Sequence, residues 1–539
     1  MKPSKKINTQ TDNLRGSIRP LKNNCLRIKP KNLVYIAALA LGTQMLGACK
    51  KELNVNPQNR IPLNQYYKTP SDAFAALVAV YDRFGFQTGG LYDKLAIMDV
   101  AGGDHVAGGG SAGDINDLQV MQNFSLSSTS GPEGYLWNRG YVGIYRANVL
   151  LANIDNCGLD AATKTRYIAE IKAMRGAFYF DLVNFFKNVP LITGVVPVDS
   201  LYSVVQAPPA AVWAYAEKDL NDAIPNLPQT VPVATEGGRM TQGGAKAILG
   251  KMLLYEKKWQ AAADMLKDVN GPNPGVSPSI YGYSLMPNFA DLWKSKNKFN
   301  SESVVEYAHS ALSNGGWADA GASEGNLICI ITGPRGYSQL KPTAPDYFSG
   351  YSFLMFTKAF GATMHGDPRY PATIADLDSL QTAGAASYNS SQAWNNTGLY
   401  LGKYIGRVSD KAANTPELNF GQDEYEIRLA DTYLMEAEAL MNAGADVSAG
   451  SRAYQLLNAV RNRVQLAPVD VTQASIEYER RMELAGEGLY FPDLVRWGKA
   501  ATTLASRGFI AGRNEIFPIP QSELNNTKIN QSKEWGGTQ

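Results

Sequence analysis

The chain has 539 residues, of which 45% are hydrophobic and 19% charged, a composition typical of globular proteins. The formal net charge is +2, but residues 1–48 hold nine Lys and Arg against one Asp, which leaves 42 basic and 48 acidic residues in the rest of the chain. This acidic remainder shows no basic patch and therefore excludes a nucleic-acid partner.

Cysteine and histidine are scarce. The chain has four Cys and three His, and no C-x-x-C or Cys/His spacing of the kind that binds zinc. No metal and no cofactor are therefore expected. For Cys157 and Cys329 two alternatives stand, a single disulfide or two buried free thiols.

The opening segment has the features of a secretory signal. Lys29 and Lys31 precede the apolar run 33–41, which is too short to span a bilayer as a helix. The run is followed by Leu-Gly-Ala-Cys at 46–49, the pattern at which bacterial lipoproteins are cleaved and acylated. We interpret residues 1–48 as a lipoprotein signal peptide and Cys49 as the lipid-bearing first residue of the mature protein. A chance cysteine behind a plain signal peptide is the alternative.

Downstream of Cys49 the polar, proline-containing residues 49–70 predict a tether, and Ser71 is the expected N-cap of a first helix over 71–84. Residues 101–134 are rich in Gly, Asp and Ser and predict a long loop. Apolar spacing then predicts two amphipathic helices over 137–154 and 166–186. Their expected buried residues are Tyr141, Ile144, Tyr145 and Val149 in one helix, and Ile171, Met174, Phe178 and Leu182 in the other.

An internal repeat follows, with the offsets of a tetratricopeptide helix pair. The fullest copy places Leu249-Gly250 and Leu253 in one helix and Ala262, Leu266 and Val269 in the next, closed by Pro274. Two partial copies share these offsets: Gly176, Tyr179, Ala216, Leu220, Ala223 and Pro228 form one, and Leu429, Ala430, Tyr433, Ala453, Leu457 and Val460 the other. Such helix pairs stack into a curved scaffold.

Long irregular segments separate the repeats, at 271–300, 310–350 and 378–424, and loops of this length are usually functional. The Gly-rich run 108–113 matches the letters of a nucleophile elbow and of a dinucleotide fingerprint. Both motifs need a buried strand before them and a helix directly after. The flanking residues predict neither, so we interpret the run as a flexible loop.

The stretch 478–498 is crowded with charge, and Glu483 and Glu487 are four residues apart on one predicted helix. Paired carboxylates can act as the acid and base of a glycosidase. Arg480 and Arg481 lie on the same helix, however, so structural ion pairing is the favoured interpretation.

The same stretch resembles the C-terminal signature of the SusD-like (SusD/RagB) lipoproteins. The matching residues are Glu479-Arg480, Glu483-Leu484, Glu487-Gly488, Asp493-Leu494 and Arg496-Trp497-Gly498. Tyr490, where a basic residue is common, and Pro492 depart from the signature, which puts a local ion pair in doubt. Further blocks that resemble the family are IYRANVLL, FFKNVPL, residues 367–369, 426–440, 457–463 and 517–524.

The resemblance implies a mainly α fold in which four tetratricopeptide-like helix pairs form a scaffold with long irregular ligand-binding loops. It implies one such domain over residues 71–539. It also implies a lipid-anchored protein of the outer membrane and cell surface that binds oligosaccharide, or in some members peptide, without catalysis. The protein would deliver this nutrient to a SusC-like TonB-dependent transporter. A surface glycoside hydrolase and a peptide-binding or scaffold lipoprotein remain the alternatives.

Sugar binding needs flat aromatic side chains with amides or acids beside them. In the family, glycan sites are built from loops that correspond here to 99–126 and 310–350. The candidate ligand-binding residues are Trp317, Tyr337, Trp394, Asp104 and His105. For each of them ordinary loop packing is the alternative. Trp317, between small residues, is the preferred stacking platform.

Overall fold

Helices make up about half of the residues that the structure describes, and long irregular segments connect them. The computed structural model describes residues 66–87, 91–312, 315–318 and 323–539. The predicted signal peptide, Cys49 and most of the predicted tether lie outside these residues. Residues 67–539 form one compact unit.

The helices of the described residues are numbered in chain order: α1 Pro70–Phe84, α2 Lys94–Gly102, α3 Asn116–Gln122, α4 Glu133–Asn153, α5 Ala161–Phe186, α6 Pro209–Ala223, α7 Val233–Glu236, α8 Gln242–Tyr255, α9 Trp259–Asn270, α10 Ile328–Ile331, α11 Lys358–Met364, α12 Tyr370–Thr373, α13 Leu377–Thr382, α14 Leu429–Asn442, α15 Arg452–Arg463, α16 Gln473–Glu483, α17 Tyr490–Arg496, α18 Ala500–Thr503 and α19 Gln521–Leu524. None of the helices in this part of the chain is long and apolar enough to span a bilayer.

The strands are short: β1 His105–Gly108, β2 Val189–Pro190, β3 Gln206–Ala207, β4 Ser303–Tyr307, β5 Ser338–Gln339, β6 Phe353–Phe356, β7 Ile374–Asp376, β8 Ala386–Ser387, β9 Leu399–Leu401 and β10 Glu424–Arg428. They form two-stranded antiparallel sheets that pair β1 with β6, β2 with β3, β4 with β10, β5 with β8 and β7 with β9. These sheets fasten the irregular segments to one another.

The long helices pack in a row, each on the next: α1 on α4, α4 on α5, α5 on α6, α6 on α8, α8 on α9, α9 on α14, and α14 on α15 and α16. The three helix pairs predicted from the repeat are therefore confirmed as α5–α6, α8–α9 and α14–α15. Small residues lie where the helices cross. A Cβ added at Gly250 would lie 2.6 Å from Leu266, and one added at Gly176 would lie 3.0 Å from the carbonyl oxygen of Ala216.

Three local predictions are wrong. Thr69, not Ser71, caps α1, because its side chain accepts from the Asp72 amide while the Asp72 side chain accepts from the Thr69 amide. The predicted loop 101–134 contains β1 and α3, since β1 pairs with the distant strand β6. Tyr145 is 58% exposed on α4 rather than buried.

The charged stretch 478–498 takes part in ion pairs, as expected, but the partners of Glu483 and Glu487 come from other segments and not from Arg480 and Arg481. Arg428 donates to Glu302 at 2.8 Å, to Glu483 at 2.6 Å and to Glu487 at 2.7 Å. Glu483 also accepts from Arg463 and, at 2.9 Å, from Arg369. Burial acts to raise the pKa of Glu483, but these three arginines outweigh burial and hold that pKa well below its usual value.

Cys157 and Cys329 are both buried and both free, so the two-thiol alternative is correct. Burial raises the pKa of each thiol above its usual value. Neither sulfur is therefore a reactive thiolate at neutral pH.

Candidate functional site

The five candidate residues fall into two groups. Trp317 and Trp394 are 54% and 41% exposed, whereas Tyr337, Asp104 and His105 are at most 9% exposed. Only the two indoles therefore present a flat apolar face to solvent.

Asp104 and His105 lie in the interior, at odds with a role in ligand binding. Arg481 donates to both carboxylate oxygens of Asp104, at 2.9 and 2.5 Å, and its guanidinium lies 4.9 Å from the Tyr490 ring centroid. Burial raises the pKa of Asp104 although Arg481 opposes it. Tyr490, the departure from the family signature, thus supports an ion pair instead of abolishing one.

His105 lies on β1, opposite Phe356 of β6. Its Nδ1 is 2.8 Å from the carbonyl oxygen of Leu354, and its ring centroid is 4.1 Å from that of Phe356. Burial lowers the pKa of His105 to about 3, so the ring is neutral at physiological pH. Its role is to join the two strands.

Tyr337 is also an interior residue. Its hydroxyl donates to the carbonyl oxygen of Pro345 at 2.6 Å, and its ring packs at 5.5 Å against Tyr347. Burial raises the pKa of Tyr337 to about 12. The ring is part of a core beneath the loops, not of their surface.

Trp394 is attached to the Gly-rich loop that precedes α3. Its amide donates to the carbonyl oxygen of Gly109 at 2.8 Å, and the Gly109 amide donates to the carbonyl oxygen of Ser352 at 2.9 Å. Gly109 has a φ of +89°, and a Cβ there would lie 2.5 Å from the Phe353 ring. The run 108–113 is therefore held in place rather than flexible, and a strand does precede it. The next helix, α3, begins only at Asn116, so the nucleophile-elbow context is still absent.

A polar group lies beside this loop. The guanidinium of Arg335 is 3.5 Å from the Asp114 carboxylate and 5.8 Å from the Tyr351 ring centroid, and Asp114 accepts from the Gly110 amide at 2.7 Å. Arg335 Nε is buried with no hydrogen-bond partner among the described residues. The Arg335 carbonyl oxygen accepts from Asn389, five residues before Trp394. A cation, a carboxylate and two aromatic rings are therefore gathered in one region.

Trp317 lies in a segment that packs beside residues 415–419. Asn419 Nδ2 donates to the Gly315 carbonyl oxygen at 3.4 Å, and a Cβ on Gly316 would lie 3.9 Å from the Thr415 hydroxyl. Burial raises the pKa of Tyr351, and Glu417 adds to this shift while Arg335 opposes it. Glu417 is thus within electrostatic range of Tyr351. We group Trp317, Tyr351, Arg335, Asp114 and Trp394 as candidate ligand-binding residues under the name indole surface.

Several non-glycine residues near the indole surface have a positive φ, in the left-handed backbone region that favours glycine. They are Ser352 at φ +62°, Leu354 at +55°, Asn395 at +50° and Thr415 at +42°. Backbone strain of this kind is concentrated at functional sites in many proteins. Here it accompanies the segments that present Trp394 and Tyr351.

Arg335, Tyr351 and Asp114 were missed by the sequence analysis. A signal existed for Tyr351, since Gly350 precedes it much as Gly316 precedes Trp317. The pairing of Arg335 with Asp114 joins residues 221 positions apart and had no signal in the chain.

The paired carboxylates of the charged stretch are already bound to basic side chains. The carboxylates of Glu483 and Glu487 accept from arginines and from Lys403. Among the residues that the structure describes, no group of three or more His, Cys, Asp and Glu could hold a metal ion.

Two sequence models match the chain. Residues 361–509, which include Trp394, match the model described as the SusD family. Residues 98–254, which include the loop 108–114, match the model described as "Starch-binding associating with outer membrane".

Solved structures of similar proteins cover nearly all of the described chain. A laminarin binding SusD-like protein is 47% identical, with a TM-score of 0.82, over 86% of this chain and 99% of that one. Surface glycan-binding protein A from Bacteroides thetaiotaomicron, solved in complex with laminarihexaose, is 22% identical with a TM-score of 0.71, over 85% and 97% of the two chains. At that identity the second likeness shows the fold alone.

The curated relatives that match the chain are also SusD-like proteins. The SusD-like protein P25 of Formosa agariphila is 24% identical over 488 residues, or 84% of this chain and 87% of its own. A SusD-like protein of Bacteroides ovatus is 25% identical over 484 residues, or 86% and 82% of the two chains.

Proposed function

We propose that this chain, which belongs to the SusD-like family, binds laminarin-type oligosaccharide on the indole surface and delivers it to a SusC-like TonB-dependent transporter of the outer membrane. Glycan binding and outer-membrane association are what the matched descriptions give for proteins of this kind. The ligand, the delivery step and the lipid anchor at Cys49 are our proposals.

The observation that carries the ligand class is the 47% identity with a laminarin binding protein across 99% of that protein. The geometry suits such a ligand. Sugar rings have apolar faces that stack on aromatic rings, and their hydroxyls need donors and acceptors nearby. Trp394 and Trp317 supply exposed faces, while Arg335 and Asp114 supply charged partners.

The carboxylates of the same surface support binding of the oligosaccharide rather than its hydrolysis. Glycoside hydrolysis needs two carboxylates about 5–10 Å apart on either side of the scissile bond. Asp114 of the indole surface is already paired with Arg335, and the signature carboxylates Glu483 and Glu487 are buried among arginines and Lys403. The mechanism is then capture and release.

Calorimetry with purified protein and laminarihexaose, cellohexaose or maltohexaose tests the ligand. We expect laminarihexaose to bind at least tenfold more tightly than the other two. Chromatography of the mixture after prolonged incubation should recover the hexasaccharide intact. Preference for maltohexaose would assign a starch-type ligand instead, release of shorter sugars would make the protein a hydrolase, and binding of none would leave the peptide-binding alternative.

A separate experiment tests whether the protein associates with a SusC-like transporter. Affinity purification of the tagged protein from detergent-solubilised outer membranes of its own cell should recover a SusC-like transporter, identified by mass spectrometry. If no such transporter is recovered, the proposed delivery step is rejected. The proposed glycan binding is not affected by this result.

A further inference from the structure

The segment between β2 and β3 presents an unusual number of apolar side chains to solvent. Within eleven residues it holds five large exposed hydrophobic side chains: Val195 at 45%, Val198 at 82%, Leu201 at 49%, Tyr202 at 64% and Val205 at 58%. Single exposed hydrophobic residues are ordinary, but a group of this kind marks an interaction surface. We name residues 195–205 the apolar turn.

The base of the apolar turn is held firmly. The β2–β3 ladder pairs Val189 with Ala207 and closes the segment. Asn148 of α4 donates to the carbonyl oxygens of Ile192 at 2.9 Å and Gly194 at 3.2 Å. The apolar side chains are thus displayed from a rigid base on the helical body.

The tip of the turn directs its side chains to one side. Residues Val198–Ser203 form a 3₁₀ turn, in which side chains three positions apart eclipse one another, so Val198 and Leu201 face the same way. Tyr202 is adjacent to them. Val198 and Leu201 therefore share one apolar face, and Tyr202 lies about a third of a turn from it.

The charge of the segment argues against a lipid surface as its partner. No Lys or Arg occurs between Lys187 and Lys218, and Asp199 and Glu217 are the acidic residues of that interval. Segments that bind anionic membrane surfaces are rich in Lys and Arg. The centres of protein interfaces, by contrast, are poor in charge and enriched in tyrosine.

The size of the face argues against a second copy of this chain in free solution. Five partly exposed side chains make a patch of a few hundred Å², below the ~800 Å² per partner of a stable interface. A partner held in the same membrane needs less area, because anchoring raises the effective concentration. From Cys49 to Tyr66 the chain can span at most about 60 Å, which keeps the body near such a partner.

We propose that the apolar turn is the apolar centre of the surface with which this chain docks on an integral outer-membrane protein, the SusC-like transporter. The inference rests on the proposed function, since it names the surface used by the partner given there. It predicts that charge placed on the turn breaks the complex and leaves glycan binding intact.

The test compares two double variants of the full-length, tagged protein in its own cell. Val198→Asp/Leu201→Asp places two charges on the apolar turn. Val276→Asp/Ile280→Asp places the same charges on side chains that are 85% and 61% exposed elsewhere. The readouts are the amount of transporter co-purified from solubilised outer membranes and calorimetric affinity for laminarihexaose. We expect the turn variant to recover at least tenfold less transporter than wild type. The control variant should recover as much transporter as wild type.

Each other outcome overturns the inference in a recognisable way. A turn variant that retains the transporter places the interface elsewhere, with the proposed function intact. Wild type that recovers no transporter rejects delivery and this interface together. If wild-type protein binds vesicles of outer-membrane lipid, or forms a dimer in solution, and the turn variant does neither, the turn belongs to the membrane or to a second copy.

Discussion

At the level of single residues, solvent exposure distinguishes the aromatic side chains that support the fold from those that are free to bind a ligand. Tyr337 is buried with its hydroxyl satisfied by Pro345, so it has no face left for a ligand. Trp394 is fixed through its backbone to Gly109, and this leaves its ring partly exposed. A ring whose backbone is held loses little further freedom when it binds, which favours affinity.

Replacing the Trp317 indole tests the predicted stacking platform. Aromatic stacking is worth about 0.5–1.5 kcal/mol beyond the burial of area, and Trp317→Ala also loses that burial. We expect at least a tenfold weaker calorimetric affinity for laminarihexaose. Circular dichroism should be unchanged, because a side chain 54% exposed contributes little to the core.

Tyr337→Phe is the matched control for this experiment. It removes one buried hydrogen bond, worth about 1 kcal/mol of stability, and should leave affinity unchanged. Unaltered affinity in Trp317→Ala would transfer the platform role to Trp394. Loss of both affinity and secondary structure in Trp317→Ala would make Trp317 a packing residue.

The buried cluster around Glu483 predicts a pH-dependent stability. Glu483 accepts from Arg428, Arg463 and Arg369, and breaking a buried pair of this kind costs about 3–5 kcal/mol. Glu483→Gln should therefore lower the free energy of unfolding in urea at pH 7 by about 3 kcal/mol or more. The substitution preserves the size of the side chain and removes its charge.

The pH dependence distinguishes charge from packing. The pKa of Glu483 is lower in the folded state than its ordinary value of 4.5, so its contribution to stability is complete above pH 4.5 and is lost as pH falls toward the folded pKa. The difference between wild type and Glu483→Gln should shrink as pH is lowered below 4.5. A difference that stays constant with pH would show that packing, not ion pairing, accounts for it.

At the level of helices, close crossings explain the small residues of the repeat. Gly250 of α8 lies against Leu266 of α9, and Gly176 of α5 lies against Ala216 of α6. A larger side chain at either position must push the helices apart. The same contact is made in successive pairs, which is why the offsets recur along the chain.

Gly250→Leu should overpack the α8–α9 contact and cost about 1–3 kcal/mol. The measurement is the midpoint of thermal unfolding. Gly134→Leu is the matched control, because Gly134 is exposed within α4 and a Cβ there meets nothing within 4 Å. Equal midpoints for the two variants would contradict the assignment of a tight crossing at Gly250.

At the level of the whole molecule, the acidic residues 49–539 follow the basic residues 1–48, which we predict to be a signal peptide. Acyl chains contribute about 0.8 kcal/mol per buried CH₂, and more than one chain is needed for stable anchoring. An anchor of this kind would keep the indole surface and the apolar turn beside the same membrane. This proximity allows a modest patch to serve as a docking site.

Cys49→Ala should abolish acylation, since the side chain that takes the diacylglyceryl group is absent. The variant should leave the membrane fraction and change its electrophoretic mobility. Cys25→Ala is the control, because Cys25 precedes the predicted cleavage point and should have no effect on localisation. A Cys49→Ala protein that stays in the membrane fraction with wild-type mobility would refute the lipobox interpretation.

The sequence by itself determined those features that depend on local order. Helical spacing predicted the bodies of α1, α4 and α5, because an amphipathic helix must repeat its apolar residues every three to four positions. The repeat offsets predicted the helix pairs, since each crossing uses residues close together in the chain. The charged stretch 478–498 predicted ion pairing but not the partners, because Glu483 and Glu487 pair with Arg369, Arg428, Arg463 and Lys403 from distant segments instead of Arg480 and Arg481.

Only the tertiary structure decided which residues are buried and which belong to the indole surface. β1 escaped prediction because its partner β6 is some 250 residues away, and a strand four residues long has no periodicity of its own. Asp104 and His105 are polar residues in loop-like sequence, yet Arg481 and β6, far along the chain, bury them, whereas Tyr337 is buried against the nearby Pro345 and Tyr347. Arg335, Tyr351 and Asp114 come together for the same reason: burial and pairing depend on contacts between distant segments, which no local pattern encodes.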